Sequence, residues 1–206
     1  GVRPSAGLMS LWTLLPACGV VLLMAVTNKL CLDIASVPFL WVLPLGLYLV
    51  SFILTFGSQR LYRRSFYLFC GLIALILQFA GKSPLIVFFP GFGFLGGLAA
   101  QAGFYLVLLF SFCVLVHGEL YRLRPAASQL TAFYLAISLG GALGGLAVGL
   151  GAPLVFDDYH ELLVGLGLSF GLLAWIFGRD EKSWLYFKGP RWHVALASAG
   201  SAALLG

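Results

Sequence analysis

The stretch from Pro125 to Phe156, PAASQLTAFYLAISLGGALGGLAVGLGAPLVF, runs for 32 residues without one Asp, Glu, Lys or Arg. A helix crosses a bilayer core of about 30 Å with about 20 apolar residues, so this segment is long enough to do so with several to spare. The whole chain follows suit: of its 206 residues 61% are hydrophobic and 9% charged, and its mean hydropathy is +1.03. A water-soluble domain carries about 25% charged residues, and a disordered chain needs low hydrophobicity with high net charge. Both classes are excluded, leaving an all-α, polytopic helical membrane protein.

The gaps between successive charges mark out the helices. Uncharged runs extend over 25 residues from Pro4 to Asn28, 26 from Ile34 to Gln59, 17 from Ser65 to Gly81, 36 from Ser83 to Gly118 and 17 from Leu162 to Gly178. With the opening stretch they predict six crossings, at Leu8 to Asn28, Pro38 to Phe56, Phe66 to Ile86, Gly97 to His117, Leu130 to Pro153 and Tyr159 to Gly178. A seventh starts near Val194 and reaches Gly206 after about 20 Å, short of a full crossing. The expectation is one transmembrane domain over residues 1–206, read as a fragment of a longer chain. The segment Ser83 to Gly96, apolar but interrupted by Pro84 and Pro90, reads either as a helix end with an outer loop or as a re-entrant hairpin.

Lys and Arg are retained on the cytoplasmic side. With the N-terminus inside, that side holds Arg3, Arg60, Arg63, Arg64, Arg122, Arg124, Arg179, Lys182, Lys188 and Arg191, against Lys29 and Lys82 outside. This asymmetry accounts for the net charge of +5 without a nucleic-acid partner, and Trp184, Tyr186 and Trp192 among the last basic residues read as an interfacial aromatic belt. Cys18, Cys31, Cys70 and Cys113 form no CxxC pair and imply neither a disulfide framework nor a zinc site.

The run SLGGALGGLAVGLG places Gly140 and Gly144, and Gly141, Gly145 and Gly149, at spacings of four. Glycines in such a register let another helix approach closely, the partner being a helix of this chain or of a second protein. Gly91, Gly93 and Gly96 match GxGxxG, but no strand precedes them and no acidic residue follows at the needed distance, so no dinucleotide is expected.

An ionisable side chain at membrane depth is the default functional candidate. Lys29 and Asp33, four apart, read as a headgroup-level ion pair or as a gate on the outer face. His117 and Glu119, in HGEL, sit where the fourth span meets the cytoplasm, with Arg122 placed to pair with Glu119. Cys113 and His117 share a face, but Glu119 lies off it, a poor metal set; a pigment or haem ligand is the alternative for His117. Asp157, Asp158, His160 and Glu161 read as a solvated acidic turn or a weak cation site. No catalytic residue, metal site or cofactor is expected.

Three long stretches carry a family resemblance: VTNKLCLDIASVPFLWVLPLGLYLVSFILTF (Val26 to Phe56), HGELYRLRPAASQLTAFYLAISLGGALGG (His117 to Gly145) and APLVF (Ala152 to Phe156). Together they resemble the membrane region of the bacterial proteins described as fused major-facilitator/spermidine-synthase-like proteins. The resemblance implies a module of the bacterial inner membrane that anchors or serves a spermidine-synthase-like enzyme, without that enzyme's soluble domain in residues 1–206. It places the lipid bilayer and other membrane helices or subunits among the partners. Two further readings stand beside this anchor: a transporter of a small, polyamine-like cation, and an accessory subunit of a larger energy-transducing complex.

Overall fold

A computed structural model describes residues 5–33, 39–58, 61–82, 96–155 and 161–180, and among these every regular element is helical. In order they are α1 (Ala6–Asp33), α2 (Phe39–Gly57), α3 (Arg64–Lys82), α4 (Leu98–Arg122), a 3-10 turn (Ala127–Gln129), α5 (Leu130–Leu146), a π-helical turn (Ala147–Gly151), α6 (Ala152–Val155) and α7 (Glu161–Arg179). The six predicted helix positions are each occupied, with ends moved by a few residues. Among the described residues four stretches are long and apolar enough to cross a membrane: Ala6–Cys31, Arg64–Gly81, Leu98–Arg122 and Ala127–Leu154. The expected six full spans are thus reduced to four that meet the length criterion, because the apolar parts of α2 and α7, Trp41–Gly57 and Leu162–Gly178, are shorter. The seventh segment from Val194, the aromatic belt and the Ser83 to Gly96 path up to residue 95 lie outside the described residues.

Side-chain hydroxyls within these apolar helices are satisfied inside the chain. Backbone and hydroxyl groups must be satisfied within the chain where no water reaches, and the hydroxyls here bend back to carbonyls one turn earlier. Thr27 Oγ1 donates to Leu23 O at 2.7 Å, Thr55 Oγ1 to Ser51 O at 2.9 Å and Ser169 Oγ to Gly165 O at 2.7 Å. Pro16 and Pro44 stand inside α1 and α2, where each removes a single helical bond. Pro153 lacks the amide that the Gly149 carbonyl would accept in an α-helix, and the wider π turn falls at that point.

The chain divides into two compact units, one comprising Gly1–Leu22 with Arg124–Gly206 and the other Leu23–Leu123. In the first, α5 lies against the early part of α1. Gly140 and Gly144 are buried there, and a Cβ on Gly144 would come 2.5 Å from the Ala17 carbonyl oxygen, while one on Gly140 would strike the Thr13 carbonyl. Trp12 of α1 sets its ring edge-on to Phe133 of α5, centroids 5.3 Å apart. Gly165 of α7 faces Val21 and Leu22.

In the second unit α4 is the central helix, packed by α2 and α3. Every residue from Ser111 to Leu120 is buried, as expected of a helix apolar around its circumference. α3 turns Gly71, Ala74 and Gln78 inward, at helical spacing, and the bare Gly71 admits the Phe112 ring. Its other side exposes Phe66, Phe69, Ile73 and Ile76.

Candidate functional site

The last two turns of α4 carry two buried titratable side chains, His117 at 0% exposure and Glu119 at 2%. Residues two apart on a helix point in different directions, so each meets a different neighbour. His117 faces α2. Its Nδ1 lies 2.9 Å from the Ser51 hydroxyl, and the rings of Tyr48 and Phe52 stand edge-on to it, centroids at 4.8 and 5.1 Å. Tyr48, Ser51 and Phe52 share one face of α2 because they are three and four residues apart.

The Ser51 hydroxyl has one proton, and it also lies 2.7 Å from the Tyr48 carbonyl as donor. With that proton on the carbonyl, Ser51 accepts from Nδ1–H, and the neutral imidazole keeps its lone pair on Nε2. Nε2 is buried and makes no hydrogen bond. A histidine whose Nδ1 is fixed by an oxygen and whose Nε2 is unengaged has the orientation that metal-ligating histidines adopt. Among the described residues, however, no group of three His, Cys, Asp or Glu is arranged to hold a metal ion. The Gln78 carboxamide, inward on α3, likewise has neither Nε2 nor Oε1 hydrogen-bonded.

Glu119 faces the start of α3. Arg64 grips it with two bonds, Nε to Oε1 at 2.5 Å and Nη2 to Oε2 at 2.6 Å, and the Tyr62 hydroxyl donates to Oε1 at 2.5 Å. Such bidentate, charge-assisted pairs are the strong class of protein hydrogen bonds. The Arg122 pairing anticipated from sequence is present but secondary, with Nη1 at 3.7 Å from Oε1 and a side chain 36% exposed. An arginine one turn along its own helix can only lean across the surface, whereas Arg64 reaches the carboxylate from another helix through Nε and Nη2. Burial, and next the adjacent carboxylate, push the Tyr62 phenol well above the ordinary tyrosine range. Gly118 lies against the face of the Tyr62 ring, where any Cβ would collide with ring carbons.

The other sequence candidates are dispersed. Lys29 is half-buried late in α1, and the Asp33 side chain is outside the described residues, as are Asp157, Asp158, His160 and the Glu161 side chain. A Cβ on Gly141 would meet Val20 of α1 at an ordinary distance, Gly145 is half-buried and Gly149 exposed. The buried register of four runs through Gly140 and Gly144 and continues through Val148 and Ala152, while Gly141, Gly145 and Gly149 stand beside it and are less buried. Cys18, Cys31, Cys70 and Cys113 are all free thiols.

Sequence reading missed Tyr48, Ser51, Phe52 and Tyr62, and counted Arg64 among the basic loop residues without pairing it to Glu119. The available signal was Ser51 and Thr55, two hydroxyls four apart within an otherwise apolar helix. No family model matches this chain, and neither the curated proteins nor the solved structures include one that matches it.

Proposed function

We propose that the chain is the membrane module of a spermidine-synthase-like fused protein, acting as a non-catalytic anchor or scaffold in a bacterial inner membrane. Its N-terminus is cytoplasmic, and α2 and α7 cross with the four longer spans. One observation carries this reading: the charge at membrane depth is consumed in bracing helices. The Glu119 carboxylate is engaged by Arg64 and Tyr62, an arrangement that ties α4 to the start of α3 and keeps its shape without a ligand. Gly140 and Gly144 add a second brace, against the α1 backbone. The experiment is uptake of labelled polyamine into proteoliposomes containing the purified chain. An anchor gives no flux above empty vesicles; saturable flux replaces this reading.

The transport alternative, for a small polyamine-like cation, is favoured by a different observation. His117 Nε2 and the Gln78 carboxamide are buried without hydrogen bonds, and unpartnered polar groups in lipid surroundings are costly unless they serve a passing or bound polar species. Flux that His117→Ala abolishes would establish it. Co-purification of stoichiometric partner chains would instead support the accessory-subunit reading.

A further inference from the structure

We propose that Cys113 and His117 together bind one monovalent soft metal ion, Cu(I), at the α2–α4 contact. Both side chains are wholly buried, at 0% exposure, and they stand four residues apart on α4. That is the spacing by which one helix face offers two ligands to one ion. Long side chains on a helix lean over the turn that precedes them, so the His117 ring lies over the turn that carries Cys113. Two groups of α2 join the pair. The Ser51 hydroxyl meets His117 Nδ1 at 2.9 Å and also interacts with the Cys113 thiol. Tyr48, whose ring is edge-on to the imidazole, lies within electrostatic reach of the same thiol.

The hydrogen bonding of this cluster leaves one strong donor of electrons unused. Ser51 gives its proton to the Tyr48 carbonyl and has two lone pairs, which serve Nδ1–H and the thiol proton. Nε2 keeps its own lone pair, buried and without a hydrogen bond, a cost that a Lewis acid removes. Softness and charge then select the ion. Thiolate and imidazole suit Cu(I), whereas Mg, Ca or Mn would call for carboxylate, and the buried carboxylate of α4, Glu119, is held by Arg64. Structural zinc takes four ligands, and among the described residues no group of three His, Cys, Asp or Glu is arranged to hold an ion. Cu(I) takes the place of the thiol proton, which leaves to water. Bonds from sulfur and from Nε2 to copper form, no electron is transferred, and the buried site stays neutral. A divalent ion would leave it with an uncompensated positive charge. The bond from Nδ1–H to Ser51 survives the exchange and fixes the tautomer that coordinates through Nε2. Neither ligand belongs to the Arg64–Glu119–Tyr62 brace, so the anchor role stands with or without the ion.

The test uses the full chain in detergent carrying Cys18→Ala, Cys31→Ala and Cys70→Ala, which leaves Cys113 as its single thiol. Cu(I) is titrated in competition with a chromophoric Cu(I) chelator, and the loaded protein is read by X-ray absorption at the copper edge. The expected result is one Cu(I) retained per chain, with sulfur and nitrogen both in its coordination shell. Ser51→Ala should weaken retention about 10- to 100-fold, the usual effect of removing the oxygen that orients a ligating imidazole. Cys113→Ser and His117→Leu should weaken it further, their metal-free melting temperatures reporting whether they fold. For a variant that does not fold, the absorption spectrum of the unmodified chain with one equivalent of Cu(I) decides the ligands. No retained Cu(I), a shell without nitrogen, or undiminished retention by folded Cys113→Ser or His117→Leu overturns the proposal. Zn(II) held as tightly as Cu(I) overturns it too, since the charge balance singles out a monovalent ion.

Discussion

Substituting alanine in turn for Gly140, Gly141 and Gly144 of α5 separates close packing from helix propensity. At Gly144 a Cβ would lie 2.5 Å from the Ala17 carbonyl oxygen, 3.1 Å from its Cα and 3.2 Å from its carbonyl carbon. All three are backbone atoms, so no rotamer change relieves them, and α1 and α5 must part by most of an ångström. At Gly140 the contact with the Thr13 backbone is tighter, whereas at Gly141 the nearest atom is Val20 Cγ2 at 3.7 Å, an ordinary contact. Overpacking costs about 1–3 kcal/mol, and Gly to Ala in a helix returns up to about 1 kcal/mol. Gly144→Ala should therefore lose about 1–2 kcal/mol and Gly140→Ala more. Gly141→Ala should be neutral or up to about 1 kcal/mol more stable. Unfolding by SDS in mixed micelles measures the difference, and Trp12, which packs on Phe133 across the same contact, reports it in a variant with the other tryptophans replaced. If all three variants unfold within about 0.5 kcal/mol of one another, a spread usual for unremarkable sites, the helices do not meet through these glycines.

The Arg64–Glu119 brace gives a second expectation: Glu119→Ala should cost about 3–5 kcal/mol, since it strands a guanidinium held at low exposure, and adding Arg64→Ala should recover part of that. A double-mutant cycle checks it, and simple additivity refutes it. For Tyr62 the phenol is raised in the folded state, so the fold favours its neutral form. Its contribution is complete below the unfolded pKa of about 10 and declines as pH rises beyond it, because the unfolded chain then releases a proton that the folded one keeps. Unfolding titrations from pH 8 to 11 should show this decline in the wild type and a flatter course in Tyr62→Phe. Ser51→Ala leaves His117 Nδ1 without its oxygen and should cost about 1–3 kcal/mol; Ser51→Ala with His117→Leu should be milder, as calorimetry in detergent can establish.

The charges at the helix ends show why so much of the fold was legible. Arg64 and Lys82 bracket α3, and Arg122 ends α4, because lipid excludes charge and a helix interior must then be written between charged residues. The α2 segment shows the limit of that logic. An uncharged run of 26 residues contains a 19-residue helix whose ends fall one residue from the expected Pro38 and Phe56, yet its apolar part, Trp41–Gly57, falls short of the full span expected. At the site, Cys113 and His117 were correctly placed on one face by their spacing, since that relation is local. The Glu119–Arg122 pair was anticipated for the same reason and is present, whereas the closer partner, Arg64, lies beyond local reach.

What the residues alone determined is the class of protein and the places where helices run, because both follow from which side chains lipid tolerates over one helix length. The neighbours of the two buried ionisable groups were decided only in three dimensions. Ser51 stands 66 residues from His117, Tyr62 57 residues and Arg64 55 residues from Glu119. No periodicity within one helix encodes such pairings. They arise when α2 and α3 close on α4, and the cost of leaving the Glu119 charge without a partner in a buried site selects an arrangement that supplies one.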